Sequence, residues 1–369
     1  EPGFQRPLGF WRDGEFEGKG SALPLSPTVP DGWLEPLGLI TGPAAQAAVQ
    51  AGEALPFQGG PAAFLMVRPI GPEAPPPCRI AELPDSWRDK LLPLTRPPPA
   101  FLGLGATRPL VMGIVNLTPD SFSGDGLADD PAEAIARGEA MREAGADLLD
   151  LGAESTRPGA EPVPPEEERR RLLPVLRALA PGGPVTVDTR NAATMAAALE
   201  AGAAAVNDIS ALRHDPGAAT VLARLRAPVV LMHMLGTDPR TMQREPRYAD
   251  VALEVACFLR DRVATAERLG IPRSRIAVDP GIGFGKTMAH NLELLRRLPL
   301  LAGLGCPILV GASRKGFIGR LSGEAEAGQR LGGSVAAALF AAAQGATILR
   351  VHDVAETAQA LRVWRACAA

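Results

Sequence analysis

The chain has 369 residues, with 38 Lys+Arg against 41 Asp+Glu and a formal charge of -3. That length can bury a large core and allows more than one domain, while the balanced charge and the absence of a long basic run argue against nucleic-acid or membrane-surface partners. The four cysteines form no CxxC pair, no run has the roughly 18 apolar residues of a membrane span, and no leader pattern opens the chain, so a reducing, cytoplasmic setting is expected.

Residues 1–30 mix Gly, Pro and single aromatics without periodicity and are expected to form a loose tail. Residues 31–106 read as an N-terminal extension and Pro-rich linker. Within it, 37–40 and 64–70 suit strands, and 43–51 suits a helix with Pro43 in its first turn. The proline-dense stretch 72–99 is expected to be extended where prolines cluster, around one short helix near 85–92.

From 107 to 369 a single unit repeats: a short apolar run, a polar exit, then a helical segment. The runs are 111–115, 148–152, 185–187, 204–206, 228–232, 276–278, 307–311 and 346–349. Helical rhythm follows at 131–144, 165–180, 192–201, 215–226, 248–269, 290–301, 329–344 and 354–366, with Gly145, Gly202, Gly270 and Gly345 placed as C-caps. About 260 residues of such alternation match a (β/α)8 TIM barrel, an α/β fold of roughly 250 residues, preceded here by the small extension. An open doubly wound sheet is the runner-up, but the alternation shows no topological break.

In a closed ring of parallel strands every exit shares one mouth, so distant residues converge there. The first exit, Asn116 through Gly126, offers oxygen ligands suited to a hard cation, and equally suits an ordinary Asx or Ser turn. The second, Glu154-Ser155-Thr156-Arg157-Pro158-Gly159, pairs hydroxyls with a guanidinium and can hold phosphate or carboxylate; a solvated loop is the plainer alternative. Asp188 and Asp279 follow β-branched runs and should sit in the wall of the mouth. With Asn207 they make an acceptor-rich set for the N–H edge of a flat heterocycle, although each could instead cap a helix. Residues 279–287 resemble a phosphate loop but have Pro280 where its first glycine belongs, so the glycines more plausibly admit backbone close to a ligand, with Phe284 beside it. Ser313-Arg314-Lys315 at exit seven and Arg350 with His352 at exit eight occupy the habitual anion site of this architecture. Met232 and Met234 flank His233 as expected pocket lining, while His214 and His290 read as structural.

Taken together, Asn116-Leu-Thr-Pro-Asp-Ser-Phe, Glu154-Ser-Thr-Arg-Pro-Gly, Val187-Asp-Thr, Asn207-Asp-Ile-Ser, Asp279-Pro-Gly-Ile-Gly-Phe-Gly-Lys, Ser313-Arg-Lys-Gly-Phe-Ile-Gly and Arg350-Val-His-Asp-Val resemble the dihydropteroate synthase family of pterin-binding barrels. The resemblance runs from about Pro109 onward; Gly152-Ala153 departs slightly from a pair of glycines. It implies a transferase joining 6-hydroxymethyl-7,8-dihydropterin diphosphate to 4-aminobenzoate in folate biosynthesis, with Mg2+ as cofactor and a homodimer as the assembly. It further implies that Asp188, Asn207, Asp279 and Lys315 hydrogen-bond the pterin, with Arg350 over its face. Asn116, Arg350 and His352 would hold the diphosphate, with Asn116 near the metal and Asp120 helping to retain it. Phe122, Thr156, Pro158, Phe284, Ser313 and Lys315 would form the aminobenzoate pocket, and Asp188, Lys315 and Arg350 the catalytic set. Arg157 and Met234 complete the expected substrate-binding residues. Two rivals share the pterin pocket. A methyltetrahydrofolate-corrinoid methyltransferase would not need the anion groups at exits seven and eight, and a non-catalytic pterin-binding protein would be expected to have lost groups at the mouth.

Overall fold

The computed structural model describes residues 32–105, 108–118, 130–154, 162–324 and 326–368. The expected tail and the exit-loop residues Asp120, Phe122, Thr156, Arg157 and Pro158 lie outside these. The extension opens with β1 (Trp33–Ile40), the helix Gly42–Gln50 and β2 (Leu55–Pro56), followed by β3 (Ala63–Ile70) and β4 (Cys78–Arg79). β1 and β3 pair antiparallel from Trp33 opposite Ile70 to Ile40 opposite Ala63, and β2 and β4 also pair with β3. The proline-dense stretch carries the expected short helix, as a 3-10 turn at Asp85–Leu91 continued by Leu92–Thr95, and it is packed rather than a free linker. Ile80, Leu83, Trp87, Leu91 and Leu94 pack on Leu34, Phe57, Phe64 and Val67, and this apolar core outweighs the missing proline donors.

The barrel strands are β5 (Leu110–Asn116), β6 (Leu148–Gly152), β7 (Val185–Asp188), β8 (Ala205–Asp208), β9 (Val229–Met232), β10 (Ile276–Asp279), β11 (Leu309–Val310) and β12 (Ile348–Val351). They pair in parallel in the order β10-β9-β8-β7-β6-β5-β12-β11. The ring closes between β10 and β11 through the bridge of Val278 with Ile308, where the Val278 amide donates to the Pro307 carbonyl at 2.9 Å. The architecture is the (β/α)8 TIM barrel expected from the alternation.

Period two in each strand separates the two faces. Val111, Val115, Leu149, Leu151, Val187, Val206, Leu231, Val278, Val310 and Leu349 point outward into the core shared with the helices. Leu110, Met112, Leu148, Ala205, Val230, Ala277, Leu309 and Ile348 fill the floor of the ring, and Phe101 covers it from below. The helix Pro131–Glu143 starts with a side-chain cap: the Asp130 carboxylate accepts from the Ala132 and Glu133 amides at 3.0 Å, with Pro131 next in line. The helix expected at 290–301 is divided into Met288–Arg296 and a 3-10 turn, Leu298–Leu304, because Pro299 cannot supply the next helical amide. A short helix, Gly316–Ser322, lies after β11 where none was expected.

Candidate active site

The inward positions at the carboxyl ends of the strands are Asn116, Gly152, Asp188, Asn207, Met232, Asp279, Gly311 and Arg350. All eight line one cavity of about 450 Å3, together with His352, Ser313, Lys315 and Phe284. Gly152 and Gly311 are the two places in this layer where the wall carries no side chain, which leaves room for a flat ligand.

Arg350 is the electrostatic centre. Its Nε donates to Asp150 Oδ2 at 2.6 Å and its Nη2 to Asp188 Oδ2 at 3.1 Å. Asp150, fully buried one layer below, also accepts from the Asn207 amide at 3.0 Å and from the Thr186 hydroxyl. The floor of the cavity is therefore a hydrogen-bonded carboxylate that aims a guanidinium and an amide at whatever lies above. Asp150 interrupts the apolar run of β6, and that break in the pattern was the signal that could have found it.

Asp188 does not cap the next helix, where the Ala192 amide instead donates to Asp215 at 2.9 Å. It faces the cavity, and burial pushes its carboxyl well above the usual range, with Arg350 pulling the other way and Asp150 adding to the rise. Asp279 accepts from the Gly281 amide at 2.6 Å, and burial raises its carboxyl to about 6. Lys315 lies 4.3 Å from the centre of the Phe284 ring, and burial and the Arg350 charge lower its ammonium to about 8. Acceptors and donors of intermediate charge thus share one desolvated wall, suited to a ligand bearing both N–H groups and ring nitrogens.

His352 Nδ1 lies 3.0 Å from Ser313 Oγ, which ties exits seven and eight together. Arg314 does not add a cation to the cavity: it pairs with Asp353 at 2.5 Å. Met234 is a correction as well. It is buried against Ile209, Met232 and Met242, behind the lining formed by Met232 and Met242, because the chain turns after β9 and no longer alternates.

Lys286, Met242 and Gln243 also line the cavity and were not anticipated. Lys286 Nζ sits 2.9 Å from His233 Nδ1 and 3.0 Å from the Phe284 carbonyl. Burial lowers its ammonium to about 7 and holds the His233 imidazole neutral. Gly281 must be glycine: at φ +67° an added Cβ would stand 1.9 Å from the His233 carbonyl oxygen. Gln243 donates to the Gly283 carbonyl and Tyr248 to the Gly285 carbonyl at 2.9 Å, so the segment after β9 covers the glycine loop. Glu154 is held in the wall by a two-bond pairing with Arg190 at 2.8 and 3.1 Å. Among the described residues no helix is long and apolar enough to cross a membrane.

Comparison with known proteins agrees with this geometry. Residues 112–352 match the family model of pterin binding enzymes. The dihydropteroate synthase of Neisseria meningitidis serogroup B is 50% identical over 270 residues, covering 71% of this chain and 94% of its own length. The structure of Xanthomonas albilineans dihydropteroate synthase with 4-aminobenzoic acid is 51% identical and superposes with a TM-score of 0.66, covering 72% of this chain and 94% of that one. The same enzyme in complex with 7,8-dihydropteroate gives 47% identity and a TM-score of 0.63 over the same shares of the two chains. These matches and the cavity lead to one assignment: the chain belongs to the dihydropteroate synthase family of pterin binding enzymes, which are transferases.

Proposed function

We propose that this chain condenses 6-hydroxymethyl-7,8-dihydropterin diphosphate with 4-aminobenzoate, releasing 7,8-dihydropteroate and diphosphate. The observation that carries the proposal is the gathering of Asp188, Asn207, Asp279, Lys315, Arg350 and His352 around one cavity. Asp188 and Asp279 accept N–H groups of the pterin, Lys315 donates to it, and Arg350 covers its face. The ligand's N–H groups add to the donors these buried carboxylates already have, Arg350 for Asp188 and the Gly281 amide for Asp279. The bond from the methylene carbon to diphosphate oxygen breaks first, and the arylamine nitrogen then forms the new bond and sheds its proton to water or diphosphate. Arg350 and His352 take up charge on the leaving group, and the buried carboxylates stabilise the electron-poor methylene. The amine needs no strong protein base, because it adds to a methylene already made electron-poor by loss of diphosphate. Phe284, Ser313 and Lys315 border the aminobenzoate, with Phe122, Thr156, Arg157 and Pro158 proposed to complete that side.

The donors at the end of β5 fit Mg2+. Asn116 and Thr118 bring an amide oxygen and a hydroxyl to the cavity, and among the described residues no group of three His, Cys, Asp or Glu could hold a metal by itself. Mg2+ commonly keeps waters and substrate oxygens as most of its ligands. Asn116 would hold it with Asp120, and the ion would offset the charge of the diphosphate. A homodimer is proposed on the strength of Leu331, Phe340 and Val363, which leave apolar side chains exposed on the last two helices. A cytoplasmic setting is proposed from the four free cysteines.

The test is incorporation of 4-aminobenzoate, coupled to diphosphate release, in the wild-type chain and in Asp188→Asn. Equal loss of both signals in the variant supports the proposal, and unimpaired turnover there refutes the role given to Asp188. A chain that binds pterin without turnover would be the non-catalytic rival, and methyl transfer from a folate to a corrinoid would be the other.

A further inference from the structure

The extension, residues 32–105, lies upstream of the family match, which begins at residue 112. It is nevertheless tied to the pocket through one arginine. Arg297 follows the helix Met288–Arg296 and donates twice to Glu35 of β1, at 2.7 and 3.0 Å. The remaining guanidinium nitrogen donates to both oxygens of Asp250 at 2.9 Å. Glu35 is only 2% exposed and also accepts from Arg68 at 3.0 Å.

Both elements joined at Arg297 shape the cavity. Asp250 caps the helix Val251–Arg268 by accepting from the Leu253 amide at 2.9 Å. It ends the segment in which Met242 lines the cavity and Gln243 and Tyr248 hold the glycine loop. Near the other end of the helix Met288–Arg296, Asn291 accepts from the Gly283 amide at 2.7 Å and lines the cavity itself. Arg297 thus fixes the spacing between the support of the glycine loop and the segment that covers it.

We propose that Glu35 is a positioning residue for the pterin site, acting through Arg297. A guanidinium fork with a buried bidentate partner has one orientation, and only in that orientation does its third nitrogen reach Asp250. Without the Glu35 charge the fork can rotate, and the cover over Gly283 and Gly285 loses its register. The inference rests on the function proposed above and adds a part of the chain that the family match does not reach.

The experiment compares Glu35→Gln with Trp33→Phe in the full chain. Trp33 donates from its indole nitrogen to the Leu300 carbonyl at 2.9 Å, a second tie between extension and barrel that does not touch Arg297. Both variants lower the unfolding temperature. Only Glu35→Gln is expected to raise KM for the pterin diphosphate, by roughly 2- to 30-fold with a smaller change in kcat. Should Glu35→Gln fail to fold, Arg297→Lys carries the same expectation, because an ammonium cannot span both carboxylates. An unchanged KM in the folded variant, or an equal rise in Trp33→Phe, overturns the inference while leaving the proposed activity intact. A wild-type chain that does not turn over overturns both.

Discussion

Replacing Asp150 is the sharpest probe of how the cavity is organised. The carboxylate is fully buried and receives Arg350 at 2.6 Å, Asn207 at 3.0 Å and the Thr186 hydroxyl. Asp150→Ala strands a guanidinium N–H and an amide N–H, and removing one member of a buried pair costs about 3–5 kcal/mol. Unfolding entropy near 2.1 cal/mol/K per residue gives about 0.8 kcal/mol/K for 369 residues, so the midpoint should fall by about 4–6 °C. Asp150→Asn is milder. Its oxygen can still accept from Arg350 and Asn207, and Thr186 can donate to the Leu149 carbonyl, already 3.2 Å away. The loss is then the difference between charge-assisted and neutral bonds, about 1–2 kcal/mol. Activity separates the two effects. In Asp150→Asn the guanidinium is drawn toward Asp188, and kcat/KM for diphosphate release should fall about 10–100-fold despite the small change in stability. Thermal unfolding and a coupled diphosphate assay measure both quantities. A folded Asp150→Ala protein with an unchanged midpoint and unchanged kcat/KM would refute the reasoning.

The remaining predictions concern the glycine loop and the titrating wall. Gly281→Ala should destabilise the chain by about 2–4 kcal/mol, since the new methyl meets the His233 carbonyl at positive φ; a midpoint unchanged in urea unfolding would contradict this. The pH profile of kcat/KM should be bell-shaped, rising near pH 6 as Asp279 becomes an acceptor and falling near pH 8 as Lys315 loses its ammonium. A flat profile across that interval counts against their roles. Lys286 gives up its proton near 7 when folded but at 10.5 in its ordinary state, so between these values the unfolded chain binds more protons and stability rises with pH. Urea midpoints at pH 7 and 9 should therefore differ more in the wild-type chain than in Lys286→Met, and equal differences would remove Lys286 as the cause.

Much of this was legible because a barrel converts position into location. A polar residue that ends an apolar run points inward if it falls on the inner register, as Asn116, Asp188, Asn207, Asp279 and Arg350 do. Asp150 escaped because it stands inside a run, where a charge reads as an interruption; only the ring shows that it lies beneath Arg350. Arg314 and Lys315 are neighbours of the same charge, and nothing local reveals that Asp353 takes one and leaves the other to the cavity. Met234 flanks His233 in the sequence, but β9 ends at Met232 and Met234 is buried against Ile209, Met232 and Met242. Met242 and Gln243 belong to a segment without periodicity, placed by hydrogen bonds to the glycine loop rather than by any pattern of its own. In the proline-dense stretch the short helix was legible, but the shared core was not, because its apolar residues are spaced irregularly.

The closure of the ring between β10 and β11 has a consequence for how occupancy and folding are linked. β11 pairs with β12 over two residues, and its junction with β10 is the single bridge at Val278 and Ile308. Asp279 and Lys315 stand on opposite banks of that junction. A ligand gripped by both spans the thinnest join in the wall like a rivet, so amide exchange at Val278 and Ile348 should slow on saturation more than exchange on the well-paired side at β6.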